Sequence, residues 1–388
     1  MPDLISGIAG HSPGLATSVY IHMPWCVRKC PYCDFSSFAA GRKLPMEKEY
    51  ISALRRDIEL FAPVLGEVRT VYFGGGTPSL FSPESISEVL KAISSAAGFA
   101  PDAEISLELN PGTGSEEKIR GFREAGITRL SIGVQSFSDM ELRRLGRIHS
   151  AAEAEETVRL ALGAGFNGVN ADLMQGLPGQ TAGLASADVR KAVSLGVQHI
   201  SWYQLTLEEG TPMAENPPLL PDEDTLDRIN AEGAEILKDA GFRHYEISGF
   251  ARPGFECRHN LNYWHFGDYI GIGAGGHGKI TDLRSRRIFR WGMPEKPDEY
   301  MRRSGTAPDF EEIGKDVLPF QYFLNTSRLD TDMSLTDFEE KTFLPRESVS
   351  RETAWGRERG VLETSGDTLR LTPFGRRYLN SWLEEFLP

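Results

Sequence analysis

The sequence predicts an α/β protein, a parallel sheet with crossover helices, closed off by a small winged-helix-like α+β domain. Three observations predict it. Apolar runs rich in β-formers recur along the first half of the chain, each ending in a polar or Gly-rich loop. Helical periodicity fills the spaces between them. From about Asp309 the pattern changes to helices around two short strands.

Residues 1–16 are expected as an N-terminal extension. The runs "TSVYIHM", "VRTVYFGGG", "AEISLELNP", "ITRLSIGVQSF", "FNGVNADLMQGLP" and "GVQHISWYQLTL" then read as buried parallel strands. The connecting helices are legible too. Tyr50, Ile51, Leu54, Ile58 and Phe61 recur at helical spacing; Val158, Leu160 and Leu162 follow the acidic "EAEE"; Ser82 is a plausible N-cap. This alternation over residues 17–250 argues for a sheet open or closed like a TIM barrel. Function then collects at the C-terminal strand ends. Residues 251–308 read as a connecting segment. In 309–388, "DVLPFQYFLNTSRL" and "SLTDFEEKTF" read as helices, and "GVLETSGDTLRLTPFGRRYLNSWLEEF" as strand, turn, strand and closing helix.

A net charge of −13 argues against a general nucleic-acid binder. The N-terminus lacks a signal peptide's charged and apolar regions, and no run reaches the roughly 18 apolar residues of a spanning helix. A cytoplasmic chain, at most peripheral to a membrane, is expected. Oligomeric state is not readable.

Three of the four cysteines, Cys26, Cys30 and Cys33, stand as C-x3-C-x2-C. In a cytosolic chain that points to metal or redox chemistry rather than a disulfide framework. Structural zinc needs four closed ligands, and the local candidate for a fourth is His22. Three unrelated core thiols are the bland alternative. An iron–sulfur cluster is the third reading: three thiolates on a [4Fe–4S] cube leave one iron free for a ligand. The strand-end loops carry further candidates. "GGGTPS" lets backbone approach a ligand closely. Glu108, Gln135 and Asp172 each end a strand, where the alternative is a buried, satisfied polar group.

C-x3-C-x2-C after a first strand, with Tyr32 before the last cysteine, resembles the radical S-adenosylmethionine (SAM) superfamily. The resemblance implies a partial (β/α)6 barrel, a [4Fe–4S] cluster whose open iron is chelated by SAM, and reductive cleavage of SAM to methionine and a 5′-deoxyadenosyl radical. "YIHMPWC", "CPYCDF", "SIGVQSF", "DLMQGLPGQT", "HYEISGFA", "CRHNLNYW" and "GIGAGGHG" further resemble the oxygen-independent coproporphyrinogen III oxidase-like family over nearly the whole chain, the C-terminal domain included. The oxidases carry a fourth cysteine where Phe35 stands here. With His259-Asn260-Leu261-Asn262-Tyr263-Trp264, that resembles the HemW, or haem-chaperone, branch. The resemblance implies SAM contacts at Tyr20, Gly75 and Glu108, a second nucleoside set at Tyr32, Gly76, Thr77, Gln135, Arg147 and Asp172, and a further SAM position at Gln204.

His259, Cys257 and Tyr263 are haem-site candidates, since imidazole or thiolate can ligate iron and aromatic rings can cover a macrocycle. The alternative is a buried histidine holding a loop, with Cys257 an inert core thiol. Arg284, Arg286, Arg287, Arg290, Lys296, Arg302 and Arg303 form either a solvated face or a seat for propionates or anionic lipid. The expected function is a haem chaperone that passes haem to respiratory haem proteins, with SAM and cluster gating transfer or dimerisation. The alternatives are oxidative decarboxylation of coproporphyrinogen III, or radical SAM chemistry on an unlike substrate.

Overall fold

A computed structural model describes residues 2–11, 14, 16–44 and 46–387; the rest of the expected N-terminal extension (residues 1, 12, 13 and 15) lies outside the described residues. Helix α1 (Pro2–His11) buries Ile5 and Ile8 in the main core. Strand β1 (Ala16–Met23) follows, then the short pair β2 (Trp25–Cys26) and β3 (Phe38–Ala39), and helix α2 (Glu47–Phe61). The βα units continue with β4 (Leu65–Gly75), α3 (Pro83–Ala97), β5 (Phe99–Leu109), α4 (Glu116–Ala125) and β6 (Arg129–Gln135). Next come α5 (Asp139–Arg144), α6 (Ala151–Gly163), β7 (Gly168–Gln175), α7 (Ala182–Leu195), β8 (His199–Gln204), α8 (Pro212–Glu215) and α9 (Glu223–Asp239). The six sequence runs are thus β1 and β4 to β8, paired in parallel.

The sheet does not close. Short strands extend both edges: β11 (Ile270–Ile272) lies parallel to β1, while β10 (Gly249–Ala251) and β9 (Arg243–His244) continue antiparallel beyond β8. It is the open, partial barrel that the resemblance implied. Local rules explain the helices. Ser82 caps α3 through the Ser85 amide, as expected, and Ser150 and Glu153 form a capping box on α6. The buried face of α2 holds Tyr50, Ile51, Leu54, Ile58 and Phe61, as its spacing predicts. On α6 the buried stripe is Ala154, Thr157, Val158 and Ala161; Leu160 and Leu162 are half-buried on its flanks, because alternate residues do not share a helix face.

Period-two alternation splits the sheet. Val19, Ile21, Val71, Phe73, Ile105, Leu107, Leu130, Ile132, Ala171 and Ile200 enter the apolar core shared with the helices. Their neighbours on the other face bond to one another across strands: Thr70 to Ser18 (2.9 Å), Tyr72 to Glu108 (3.1 Å) and Asn170 to Ser201 (3.0 Å). The concave face is therefore polar.

Helix α10 (Arg258–Trp264) packs between β4 and the C-terminal elements. A hairpin of β12 (His277–Asp282) and β13 (Arg287–Gly292), α11 (Pro297–Arg303) and β14 (Glu311–Glu312) come next. A second apolar cluster then gathers α12 (Leu318–Thr326), β15 (Met333–Ser334), α13 (Leu335–Thr342), α14 (Ser350–Glu358), β16 (Leu362–Ser365), β17 (Thr368–Leu371), α15 (Pro373–Arg377) and α16 (Leu379–Glu384). Its sheet order is β15, β17, β16; the single closing helix expected from sequence is two short helices. Among the described residues no helix is long and apolar enough to cross a membrane.

Candidate functional site

The C-terminal ends of β4 to β8 and the loop after β2 surround one cavity of about 350 Å³. Cys26, Cys30, Cys33 and Tyr32 line it from that loop. Two bonds clasp the loop at its base: the Phe38 amide donates to the Pro24 carbonyl (2.7 Å) and the Ala40 amide to the Cys26 carbonyl (2.9 Å). His22 fixes its far side, with Nε2 2.7 Å from the Ser36 carbonyl and Nδ1 3.0 Å from the Tyr20 hydroxyl. Nε2 therefore donates and Nδ1 accepts. Both nitrogens of the one local candidate for a fourth zinc ligand are engaged.

Gly75 and Gly76 end β4 in the cavity wall. Gly75 has φ +110°, and a β-carbon there would meet the His22 ring at 2.6 Å; one on Gly76 would lie 2.8 Å from the Trp25 carbonyl. Only glycine lets this strand end run so close to β1 and the cysteine loop. Thr77 is buried beside them, its Oγ1 accepting from Asn110 Nδ2 (2.9 Å).

Two acids face the cavity from β5 and β7. Glu108 accepts from the Tyr72 hydroxyl and the Gly75 amide, each at 3.1 Å. Asp172 accepts from Asn170 Nδ2 (2.7 Å) and Ser131 Oγ (3.1 Å). Burial, with the Asp172 charge opposite, pushes the Glu108 carboxyl up to about 8; burial pushes Asp172 up to about 6. Gln135 ends β6 with φ 67°, a left-handed conformation that costs a non-glycine residue energy and presents its side chain to the cavity. Arg147 donates to Cys30 Sγ (3.6 Å), the Gly133 carbonyl (2.9 Å) and Asn110 Oδ1.

Two buried polar atoms at this wall have no partner, Arg147 Nε and His149 Nδ1. His149 Nε2 donates to the Val134 carbonyl (3.1 Å). Tyr72, Asn110 and His149 were missed in the sequence. Tyr72 and Asn110 flank expected residues, and the period-two polar face could have found Tyr72; His149 is a lone histidine with no spacing to mark it. Gln204 also lines the cavity.

Tyr20 stands behind this wall. Its ring stacks on Tyr72 at 6.4 Å. The haem-site candidates are not brought to the cavity at all. His259 is 1% exposed and Cys257 3%, and Tyr263 turns its hydroxyl to His259. Burial holds His259 down at about 3 and pushes the Cys257 thiol up to about 12. The buried-histidine alternative describes their surroundings. Of the basic stretch, Arg287 pairs with Glu312, Arg302 with Asp298 (3.3 Å) and Arg303 with Glu299 and Asp309, as on a solvated face.

The residues present fit SAM on a [4Fe–4S] cluster. Three thiols share one wall, glycine backbone leaves a cradle, and two buried polar atoms lack partners. Burial keeps Glu108 protonated at neutral pH opposite the charged Asp172, and the ammonium and sulfonium of SAM would give both acids a cation to face. Among the described residues no group of three His, Cys, Asp or Glu side chains is drawn together around a single ion.

Residues 20–185 match the radical SAM superfamily. The heme chaperone HemW of Haemophilus influenzae is 43% identical, over 95% of this chain and 97% of its own. That of Escherichia coli is 42% identical, over 95% and 98%. The coproporphyrinogen III oxidase HemN of Escherichia coli, a radical SAM enzyme, superposes with a TM-score of 0.82 at 20% identity, over 100% of this chain and 93% of its own, which establishes the shared fold. The chain belongs to the radical SAM superfamily and, within it, to the HemW family.

Proposed function

We propose that this chain is a haem chaperone, which binds haem and passes it to haem-requiring proteins, respiratory ones among them. The observation that carries the reading is end-to-end kinship: 43% identity to a protein named heme chaperone, over 95% of this chain. In this reading Cys26, Cys30 and Cys33 hold the [4Fe–4S] cluster. Gly75, Gly76 and Thr77 meet SAM with backbone groups, Glu108 and Asp172 meet its positive charges, and Tyr32, Gln135 and Arg147 complete the wall. When bound, the cluster supplies an open iron for SAM and the electron for its cleavage. Arg147 orients the Cys30 thiolate, and Glu108 releases its proton as a cation arrives.

The cavity mouth suits a flat dianion better than the buried His259 does. Phe35 is 58% exposed and Ile148 44% exposed on the rim, beside Arg28 and Lys29. Aromatic and aliphatic surface matches a porphyrin face, and the two cations match propionates. Phe35 fills the position of the oxidases' fourth cysteine, which favours carriage over decarboxylation. The test is a haem titration of the anaerobically reconstituted chain beside Phe35→Ser and Arg28→Glu. A saturable absorption band in the parent, weakened about tenfold in each variant, supports the reading. No saturable band in the parent would sink it.

A further inference from the structure

His259 sits on α10 one helical turn before Tyr263, so the two share a face. Its Nδ1 lies 2.9 Å from Thr70 Oγ1 and its Nε2 2.7 Å from the Tyr263 hydroxyl. Thr70 spends its own proton on Ser18 Oγ (2.9 Å), so Nδ1 carries the imidazole proton and Nε2 accepts from Tyr263. No lone pair is left for iron. The backbone is pinned as well: the His259 amide donates to Glu104 Oε1 (3.2 Å), while Arg129 donates to the Phe255 carbonyl (2.9 Å).

The ring's free face lies against Tyr72, centroids 5.2 Å apart and planes 25° from parallel. Tyr72 is the residue that donates to Glu108. Tyr263 meets His259 edge-on at 4.8 Å, and Tyr269 meets Tyr263 edge-on at 4.5 Å. A column of rings therefore runs along the concave face of the sheet to the acid in the cavity. A branch runs through Tyr20, 6.4 Å from His259, to His22 and the Ser36 carbonyl of the cysteine loop.

We propose that His259, braced by Tyr263, is a positioning residue of the SAM site that acts through Tyr72 on Glu108, and is not a ligand of haem. This places the His-Asn-x-x-Tyr-Trp motif under the cofactor rather than on the cargo. It rests on SAM binding at the cavity and, for its haem arm, on the chaperone reading.

The experiment uses the reconstituted, cluster-loaded chain and reads SAM affinity and haem affinity separately. The variants are Tyr72→Phe, His259→Phe, Tyr263→Phe and the Tyr72→Phe/His259→Phe double. Tyr263→Phe removes one oxygen atom and guards against a misfolded His259→Phe. Tyr72→Phe and His259→Phe should each weaken SAM about tenfold, and the double no more than about tenfold, since both act on one bond. Tyr263→Phe should weaken SAM about threefold. Haem affinity and absorption should stay within about twofold of the parent throughout. Additive SAM losses, or haem binding lost in His259→Phe or Tyr263→Phe with SAM affinity intact, would overturn the proposal. A parent chain that takes up no haem would defeat the chaperone reading and leave the SAM cycle to judge the positioning role.

Discussion

Glu108→Gln should change the stability of the ligand-free chain with opposite signs at low and high pH. Glu108 titrates at about 8 in the folded chain against an ordinary 4.5. Below 4.5 the group is protonated in both states and the folded chain keeps its full stability. As pH rises toward 8 the unfolded chain releases the proton and the folded chain does not, so stability is lost across that window. At pH 7 two and a half units at ~1.4 kcal/mol each set a ceiling of about 3 kcal/mol. Solvent at the open cavity lowers that to about 2 kcal/mol. Glutamine is neutral at every pH and escapes this cost. It has one carbonyl oxygen for two donors, Tyr72 and the Gly75 amide, and loses about 1 kcal/mol for the bond not made. The variant should therefore be about 0.5 kcal/mol less stable than the parent at pH 5, where the parent has begun to lose stability, and at least about 1 kcal/mol more stable at pH 8. Urea midpoints of the two proteins at these pH values read the difference. Asp172, at about 6, tilts both curves alike and drops out. A stability difference that does not change between pH 5 and pH 8 would refute the reasoning. The same substitution should weaken SAM at least about tenfold, because a charge facing the ligand is gone.

Other outcomes follow from the same geometry. Replacing any one of Cys26, Cys30 or Cys33 with Ala should abolish the visible cluster absorption after reconstitution, with iron content falling well below four per chain; retention of full iron would move the cluster elsewhere. Gly75→Ala puts a β-carbon 2.6 Å from the His22 ring at φ +110° and should cost about 2 kcal/mol or more while detaching the cysteine loop, which unfolding and iron content both report. Trp382→Ala removes a side chain with no exposed surface, packed 5.2 Å from Phe323 and Phe386, and should destabilise the C-terminal cluster by about 3–5 kcal/mol in thermal melts. Its SAM affinity should remain that of the parent at temperatures below the melt.

Residues that act through local spacing were legible in the sequence. The cysteine triplet needs no tertiary information, and Gly75, Glu108, Gln135 and Asp172 are found by asking what ends each strand. Alternation carried more than was taken from it. Parallel strands covered on both sides read as continuous apolar runs, yet β1, β4, β5, β7 and β8 interleave Ser18, Thr70, Ser106, Asn170 and His199 with apolar neighbours. That pattern announces a polar concave face and places Tyr72 on it. The environment of His259 was not legible, because it depends on where α10 docks against β4, across a separation of 189 residues to Thr70. The same reason hid the pairing of Arg287 with Glu312 across strands β13 and β14. Tyr20 lies beside Tyr72, ring centroids 6.4 Å apart, and is not itself among the residues lining the cavity.

The central claim is that this chain moves haem rather than altering porphyrins. The most direct measurement is anaerobic, with the reconstituted chain, SAM and a low-potential reductant in one vessel. Half of it receives haem and then a haem-free acceptor protein; the other half receives coproporphyrinogen III. The account predicts haem leaving the chain for the acceptor, seen as the acceptor's own absorption spectrum, and no loss of carbon dioxide from the porphyrinogen by mass spectrometry. Catalytic formation of protoporphyrinogen IX, with no haem transferred, would contradict it.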